Sequence, residues 1–283
     1  MKFLSKLYRF SSSWTGTIII VLFLIFFVVQ SFVIPSGSMK RTMHIGDFLF
    51  AKKFSYGTPI PVLPWLQIPL VPDFNNNGHL IEGDKPKRED IVIFLYPKDG
   101  KTHFVKRCVA TGGDELIYID KHLYIHFSEG DEYIKKNYPA DKLKTIRGKL
   151  WVDNPYMSTY PGIQYEPERG SAFDNLKDYY YYHRDIDVSA IYVKELNSVD
   201  FTRKGGSATM NAFYKKVEKD HYYMMGDNRD NSSDSRFWGS VSYKLVIGQP
   251  WFIYFSWDNE KKAVRWDRLG TFIEDLQHEE PTH

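Results

Sequence analysis

Apolar positions are densest near the N-terminus. Twenty residues from Trp14 to Val33 are dominated by Ile, Val, Leu and Phe, and no charged side chain occurs between Arg9 and Lys40. At 1.5 Å of helical rise per residue, such a run spans about 30 Å, the thickness of a bilayer's hydrocarbon core. The pattern therefore predicts a transmembrane helix over 14–34, with Trp14 as an interfacial anchor. A cleaved secretory leader is the alternative, and small residues do follow in Pro35-Ser36-Gly37-Ser38. The apolar region of such a leader is typically about 7–15 residues, shorter than this run.

Past the run the period shortens. Strand-like stretches recur at Asp47–Lys52, Asp90–Leu95, His103–Val109, Glu115–Ile119, His122–Ile125, His221–Met225 and Trp251–Ser256, punctuated by Gly, Asp, Asn and Pro. No long amphipathic helix, internal repeat or phosphate-binding glycine loop stands out. The stretch Thr58–Phe74 holds Pro59, Pro61, Pro64, Pro69 and Pro72, which exclude a central strand or helix. It reads equally as a packed loop or as an apolar flap lying on a bilayer. Residues 116–218 are charged and Tyr-rich, with four tyrosines in a row at Tyr179–Tyr182, and carry no obvious chemistry. The expected organisation is a basic tail over 1–13, the transmembrane helix over 14–34, and a β domain built from 35–115 and 219–275. An inserted β-rich subdomain occupies 116–218 and a flexible tail 276–283.

Composition narrows the picture. Aromatic residues make up 17% of the 283 positions, in keeping with strands. A 43% hydrophobic and 25% charged content excludes a wholly disordered chain. The net charge of +2 gives no field that points to nucleic acid. Cys108 is the only cysteine, which excludes an intrachain disulfide framework and a multi-cysteine zinc site. Basic residues flank the apolar run on both sides: Lys2, Lys6 and Arg9 before it, Lys40, Arg41, Lys52 and Lys53 after it. Long domains translocate largely regardless of charge, so the short basic tail is expected in the cytoplasm and the domain on the extracytoplasmic face.

Three segments carry candidate chemistry. In the extended stretch Phe32–Met39, Ser36 and Ser38 share a face and Gly37 leaves the backbone open; a plain linker would look the same. In His103–Val109, alternation puts Phe104, Lys106 and Cys108 on one face and Arg107 on the other. A lysine so placed either snorkels to water or is buried. The third segment, Gly226–Arg236, packs three Asp, two Arg, two Asn and three Ser into eleven residues. It fails the calcium-loop pattern, because position six counted from Asp227 is Ser232 rather than Gly. The stretch Arg88–Phe94 reads as a turn entering an apolar strand.

Together these segments resemble the bacterial type I signal peptidases (leader peptidases), in the same order along the chain: a Ser-Gly-Ser-Met run after a membrane anchor, a Lys-Arg strand, and a Gly-Asp-Asn-Arg-Asp-Asn-Ser loop. The resemblance implies a mainly β fold of the signal-peptidase type, with an antiparallel catalytic core, and a serine endopeptidase that cuts signal peptides after small residues at −1 and −3. It implies Ser38 as nucleophile and Lys106 as general base. Ser36 becomes an oxyanion donor and Ser232 the group that holds the lysine. Arg107, Asp227, Asp234 and Arg236 become supporting residues. Phe32, Ile34, Met39, Met43, Phe104 and Val105 become the walls of shallow substrate pockets. No metal or cofactor is implied. The expected partners are signal peptides of exported preproteins and the lipid bilayer, with no nucleic acid, and the expected state is monomeric. Two departures from the family pattern concern turns: Arg41 stands where proline is usual, and Ala110-Thr111-Gly112-Gly113-Asp114 replaces the usual Gly-Leu-Pro-Gly-Asp.

The chemistry explains the residue types. A serine hydroxyl needs a base, and a lysine serves only when neutral, which desolvation promotes. The rival readings are a non-enzymatic, membrane-tethered β module and a Ser-x-x-Lys hydrolase of the penicillin-binding kind. No serine here has lysine three residues on.

Overall fold

The computed structural model describes residues 8–23, 29–63, 68–166, 170–183, 186–196, 198–202 and 205–280. All seven expected strands are present, several within a residue of the predicted bounds: β2 (Asp47–Lys52), β5 (Ile91–Leu95), β6 (His103–Thr111), β7 (Glu115–Ile119), β8 (His122–His126), β13 (His221–Met225) and β15 (Val246–Asp258). The larger sheet runs β1-β2-β15-β5-β6-β13-β14, with β16 (Ala263–Val264) paired to β15. Here β1 is Val29–Val33 and β14 is Val241–Ser242. The pairs along this sheet are antiparallel. Strand β15 is long enough to pair with β5 at one end and β2 along the rest, and its ladder shifts register around Pro250, where a proline has no N–H to give.

A second sheet, ordered β11-β12-β7-β8-β10-β9, is drawn entirely from Glu115–Lys216. Besides β7 and β8 it contains β9 (Leu143–Ile146), β10 (Lys149–Asp153), β11 (Ser189–Ile191) and β12 (Ala212–Lys216). Its core is not sealed off from the first: Val109, Ala110, Tyr223 and Met225 of β6 and β13 belong to the same buried cluster as Ile117, Phe127 and Phe213. The tyrosine run ends the helix Ala172–Tyr182, started by Ser171, whose side chain accepts from the Phe173 N–H.

The N-terminal expectation needs correction. Apolar helix extends over Trp14–Phe23, about 15 Å at the helical rise. Residues 24–28 lie outside the described residues, and Val29–Val33 is a strand in register with Phe48–Lys52. Among the described residues no helix is long and apolar enough to cross a membrane. Pairing with the larger sheet thus begins at Val29. The reason lies in the last third of the run: Val29-Gln30-Ser31-Phe32-Val33 offers two polar side chains, and the Ser31 hydroxyl meets the Tyr254 hydroxyl at 2.8 Å.

The proline-rich stretch folds back on itself. Gly57–Pro59 forms β3 against β4 (His79–Glu82), and Leu63 N–H donates to the Ile68 carbonyl at 2.9 Å. Residues 64–67, Trp65 among them, lie outside the described residues. The expected free tail is tied down at its start: Leu276 is buried, and Gln277 accepts a hydrogen bond from Arg107 at 3.0 Å.

Candidate active site

Two open strand edges face the key residues. Strand β6 pairs with β5 from His103 to Arg107 and with β13 from Arg107 to Thr111. Among the described residues the second edge of His103–Lys106 carries no strand, nor does the outer edge of β1. The Phe32 and His103 rings, 5.1 Å apart, connect the two edges. Past β1, the chain makes a single 3-10 turn, Gly37–Met39, with Ser36 still extended.

That turn delivers Ser38 to Lys106. The amine lies 2.7 Å from Ser38 Oγ, its other contact being the Val105 carbonyl at 2.9 Å. Lys106 is 2% exposed. Its own-face neighbour Phe104 presents its ring 5.3 Å from Nζ, and Cys108 lies in the same apolar cluster. Burial lowers the Lys106 ammonium to about 8, against the pull of Asp234 and Asp227, which favour the charged form. Neither carboxylate bonds to it. An amine at that value is partly neutral near physiological pH, so it can accept a proton.

The loop Gly226–Arg236 frames the pair with two buried ion pairs. Arg107 grips both oxygens of Asp227 at 2.8 Å, and Arg236 grips Asp234 in the same way. Burial alone would raise both carboxyls; the guanidiniums beside them hold them below the usual range. Asp234 also accepts the Gly226 N–H at 3.1 Å, and Asp227 accepts the Thr42 hydroxyl at 2.7 Å. The loop meets the Gly37–Met39 turn through Asn228, whose N–H donates to the Ser38 carbonyl at 3.1 Å and whose amide donates to the Gly37 carbonyl at 3.2 Å. Gly226 must be glycine: a Cβ there would sit 2.4 Å from both Ser232 Oγ and the Ser38 carbonyl oxygen.

The remaining expected residues divide. The Ser36 hydroxyl lies 3.5 Å from that of Ser38. Ser232 is buried beside Gly226; its hydroxyl lies by the Asp234 carboxylate, which it helps to hold below the usual range, and makes no hydrogen bond to Lys106. Met43 is fully buried and Met39 nearly so; both sit in one core cluster with Ile34, against which Phe32 and Val105 pack. Phe104 belongs to the opposite cluster and stacks on Trp238 at 6.2 Å. Met39 also serves the loop, its sulfur accepting the Asp227 N–H.

Sequence reasoning passed over Thr42, Asn228 and a third buried pair, Arg268 with Asp47, which also accepts the Ser256 hydroxyl. It also missed Glu166, which accepts from the Asn228 amide at 3.0 Å and pairs with Lys40 at 3.5 Å. Asn228 lies in the motif loop, but the others carry no motif, and only packing brings them together. The family departures are resolved locally. Arg41 has φ of +80°, which proline, fixed near −65°, does not adopt. In the other turn Asp114 accepts the Thr111 and Ser128 N–H groups and is clasped by Arg88, so the Arg88 turn is a structural anchor.

Comparisons with known proteins agree with one another. A family model described as "Signal peptidase, peptidase S26" matches residues 7–257. A signal peptidase I of Helicobacter pylori J99 is 46% identical over 98% of this chain and 97% of its own. One from strain 26695 is 45% identical over the full length of both, and one from Pseudomonas fluorescens is 30% identical over 90% of this chain and 75% of its own. A solved signal peptidase I from Enterococcus faecalis V583 is 23% identical over 59% of this chain and 97% of that one, with a TM-score of 0.26.

Proposed function

This chain belongs to the signal peptidase family, peptidase S26, serine hydrolases that remove signal peptides from preproteins, and we propose that it does so with Ser38 as nucleophile and Lys106 as general base. The carrying observation is the 2.7 Å contact between the buried Lys106 amine and Ser38 Oγ. As Oγ attacks the scissile carbonyl carbon, Lys106 takes its proton. The Ser38 N–H and the Ser36 hydroxyl hold the developing oxyanion; one such donor is typically worth about 2.7–4 kcal/mol. The C–N bond breaks as Lys106 passes the proton to the departing amine, leaving an acyl-serine. Water attacks this ester, Lys106 takes the water's proton, and Ser38 leaves with it.

The open edges of β1 and of His103–Lys106 suit a substrate bound as an added strand. Alternate residues −1 and −3 then face the strip of Phe32, Ile34 and Val105, where shallow apolar surface favours small side chains. Met39 and Met43 lie beneath this strip as its support. Ser232, at rest beside the Asp234 carboxylate, can turn its hydroxyl to the lysine when substrate arrives. The stretch 35–115 with 219–275 serves as the catalytic β domain, and 116–218 as a subdomain whose segment Gln164–Glu166 braces the catalytic loop.

The enzyme works at the cell membrane, with its N-terminus cytoplasmic and the catalytic domain outside. In support, Ile18, Ile19, Ile20, Val21 and Leu22 are all exposed on the N-terminal helix, as are Ile68, Leu70 and Phe74 on the proline-rich stretch. Lys40 is engaged by Glu166, and burial lowers Lys53 to about 8. The basic pairs are therefore weaker lipid contacts than this apolar surface. Incubating the protein with a preprotein bearing an Ala-x-Ala site and mapping the product by mass spectrometry tests the reading. One cut directly after the second alanine supports it, and an intact preprotein overturns it.

A further inference from the structure

A second cavity of about 440 Å³ opens against the catalytic loop. Asp230 and Ser232 of the loop line it, with Trp238, Tyr96 and Tyr179 as aromatic walls and Lys98 at the exposed rim. Two of these residues are more than nine-tenths buried and each holds a polar atom without a partner: Asp230 Oδ2 and Trp238 Nε1. The other Asp230 oxygen is occupied by the Ala172 N–H at 3.0 Å. Buried polar groups are nearly always bonded, and leaving one unmade costs about 1–3 kcal/mol. Two in one cavity form a ready set of one fixed acceptor and one fixed donor.

The set fits an amide better than an ion. An amide N–H matches Asp230 Oδ2 and an amide carbonyl matches Trp238 Nε1–H. The carboxylate at the floor and the Lys98 ammonium at the rim offset each other, so neither sign of net charge is favoured. Aromatic walls suit the flat faces of peptide groups.

The position connects the cavity to the proposed reaction. The Trp238 ring stacks on Phe104, whose own ring lies against the Lys106 amine. Ser232 Oγ and the Ser38 carbonyl oxygen flank the same side of Gly226. The larger cavity of the molecule is lined instead by Gln30, Ser31 and His103, next to the strand edges that receive −3 to −1. The two cavities have no lining residue in common. Resting on the signal-peptidase reading above, we propose that the second cavity is the subsite for the leaving side of the substrate, where Asp230 and Trp238 hold an amide of the first residues of the mature protein.

The test uses the full-length enzyme and peptides with a fixed Ala-x-Ala site. One series extends the leaving side a residue at a time from +1 to +4. A second places Ala, Gln or Glu at −2, +1 or +2. The variants are Asp230→Asn, which keeps the acceptor for Ala172 but turns the free one into a donor, and Trp238→Phe, which keeps the stacked ring but removes the N–H. In the wild type kcat/KM should rise with extension if a main-chain amide is held, or with Gln over Ala at +1 or +2 if a side-chain amide is. Each variant should shrink that rise about threefold to tenfold, the equivalent of one hydrogen bond. Thermal melts confirm folding of both. A rise of equal size in both variants, no rise in the wild type, or a Gln preference confined to −2 overturns the subsite. Failure of the wild type to cut any peptide overturns the peptidase reading and the subsite with it.

Discussion

Lys106 and Arg107 are neighbours on one strand, both cationic and both withdrawn from water, yet they have opposite surroundings. Lys106 faces a hydroxyl, a carbonyl and a phenyl ring, and burial lowers it to about 8. Arg107 faces Asp227 bidentately, the Glu89 carbonyl and Gln277, with its guanidinium 4.0 Å from the Tyr160 ring centre. The carboxylate more than offsets burial and raises it. Burial alone therefore does not set the charge of a cation; the partner does. The two-residue period of β6 separates the surroundings, sending one side chain to the Ser38 hydroxyl and the next into the ion pair that fixes the loop.

The largest break in this comparison is to remove the chemistry on the lysine face. Ser38→Ala, Lys106→Ala and Lys106→Arg should each lower kcat/KM in preprotein cleavage by about 10³-fold or more, arginine failing because it stays protonated. Circular dichroism should find all three folded. Next comes the arginine face. Arg107→Met strands the Asp227 carboxylate in the interior and should cost about 3–5 kcal/mol in urea unfolding. Restoring neutrality with Asp227→Asn in the same chain should recover part of that loss.

The lysine face should respond with the opposite sign. In the folded state Lys106 titrates near 8, below its unfolded value of about 10.4. The unfolded chain binds the extra proton between these values, so stability is penalised below pH 8, and the penalty disappears as pH rises toward 10.4. Lys106→Met should therefore stabilise the protein by about 1–3 kcal/mol at pH 7, with the gain shrinking at higher pH, while abolishing activity. Wild-type kcat/KM should climb through an apparent pKa near 8, because only the neutral amine accepts the serine proton; a flat profile from about pH 5 to 9 would sink the assignment. The smallest effect leaves both side chains untouched. Arg41 lies between Ser38 and Thr42, the residues that serve the two faces, at φ +80°. Arg41→Gly should relieve that strain and gain about 0.5–1 kcal/mol, whereas Arg41→Pro should destabilise by more than that.

How much was legible beforehand varies with the range of the interaction. Local alternation sufficed for β2, β5, β6, β7, β8 and β13, since each strand's pattern lies within its own few residues. The same alternation put Lys106 with Phe104 and Cys108 and turned Arg107 away, as the structure has it. It failed at Val29–Val33, where an apolar run reads alike as helix or buried strand, and only pairing with Phe48–Lys52 decides. The helix Ala172–Tyr182 was likewise hidden, because its apolar residues are mostly aromatic.

The sequence by itself determined which residue types could do chemistry and the order in which the chain presents them: a serine pair, a lysine on an apolar face, and a loop too rich in compensating charge for a plain turn. Tertiary structure alone decided that the Ser38 hydroxyl and the Lys106 amine lie 2.7 Å apart, 68 positions distant in sequence. It alone decided that Asp47 is paired across the molecule by Arg268, and that Met43 is buried in a core cluster with Ile34 and Met39. The physical reason is that type and period are properties of neighbouring residues. Desolvation and ion pairing depend on everything within a few ångströms, and segments far apart in the chain supply most of that.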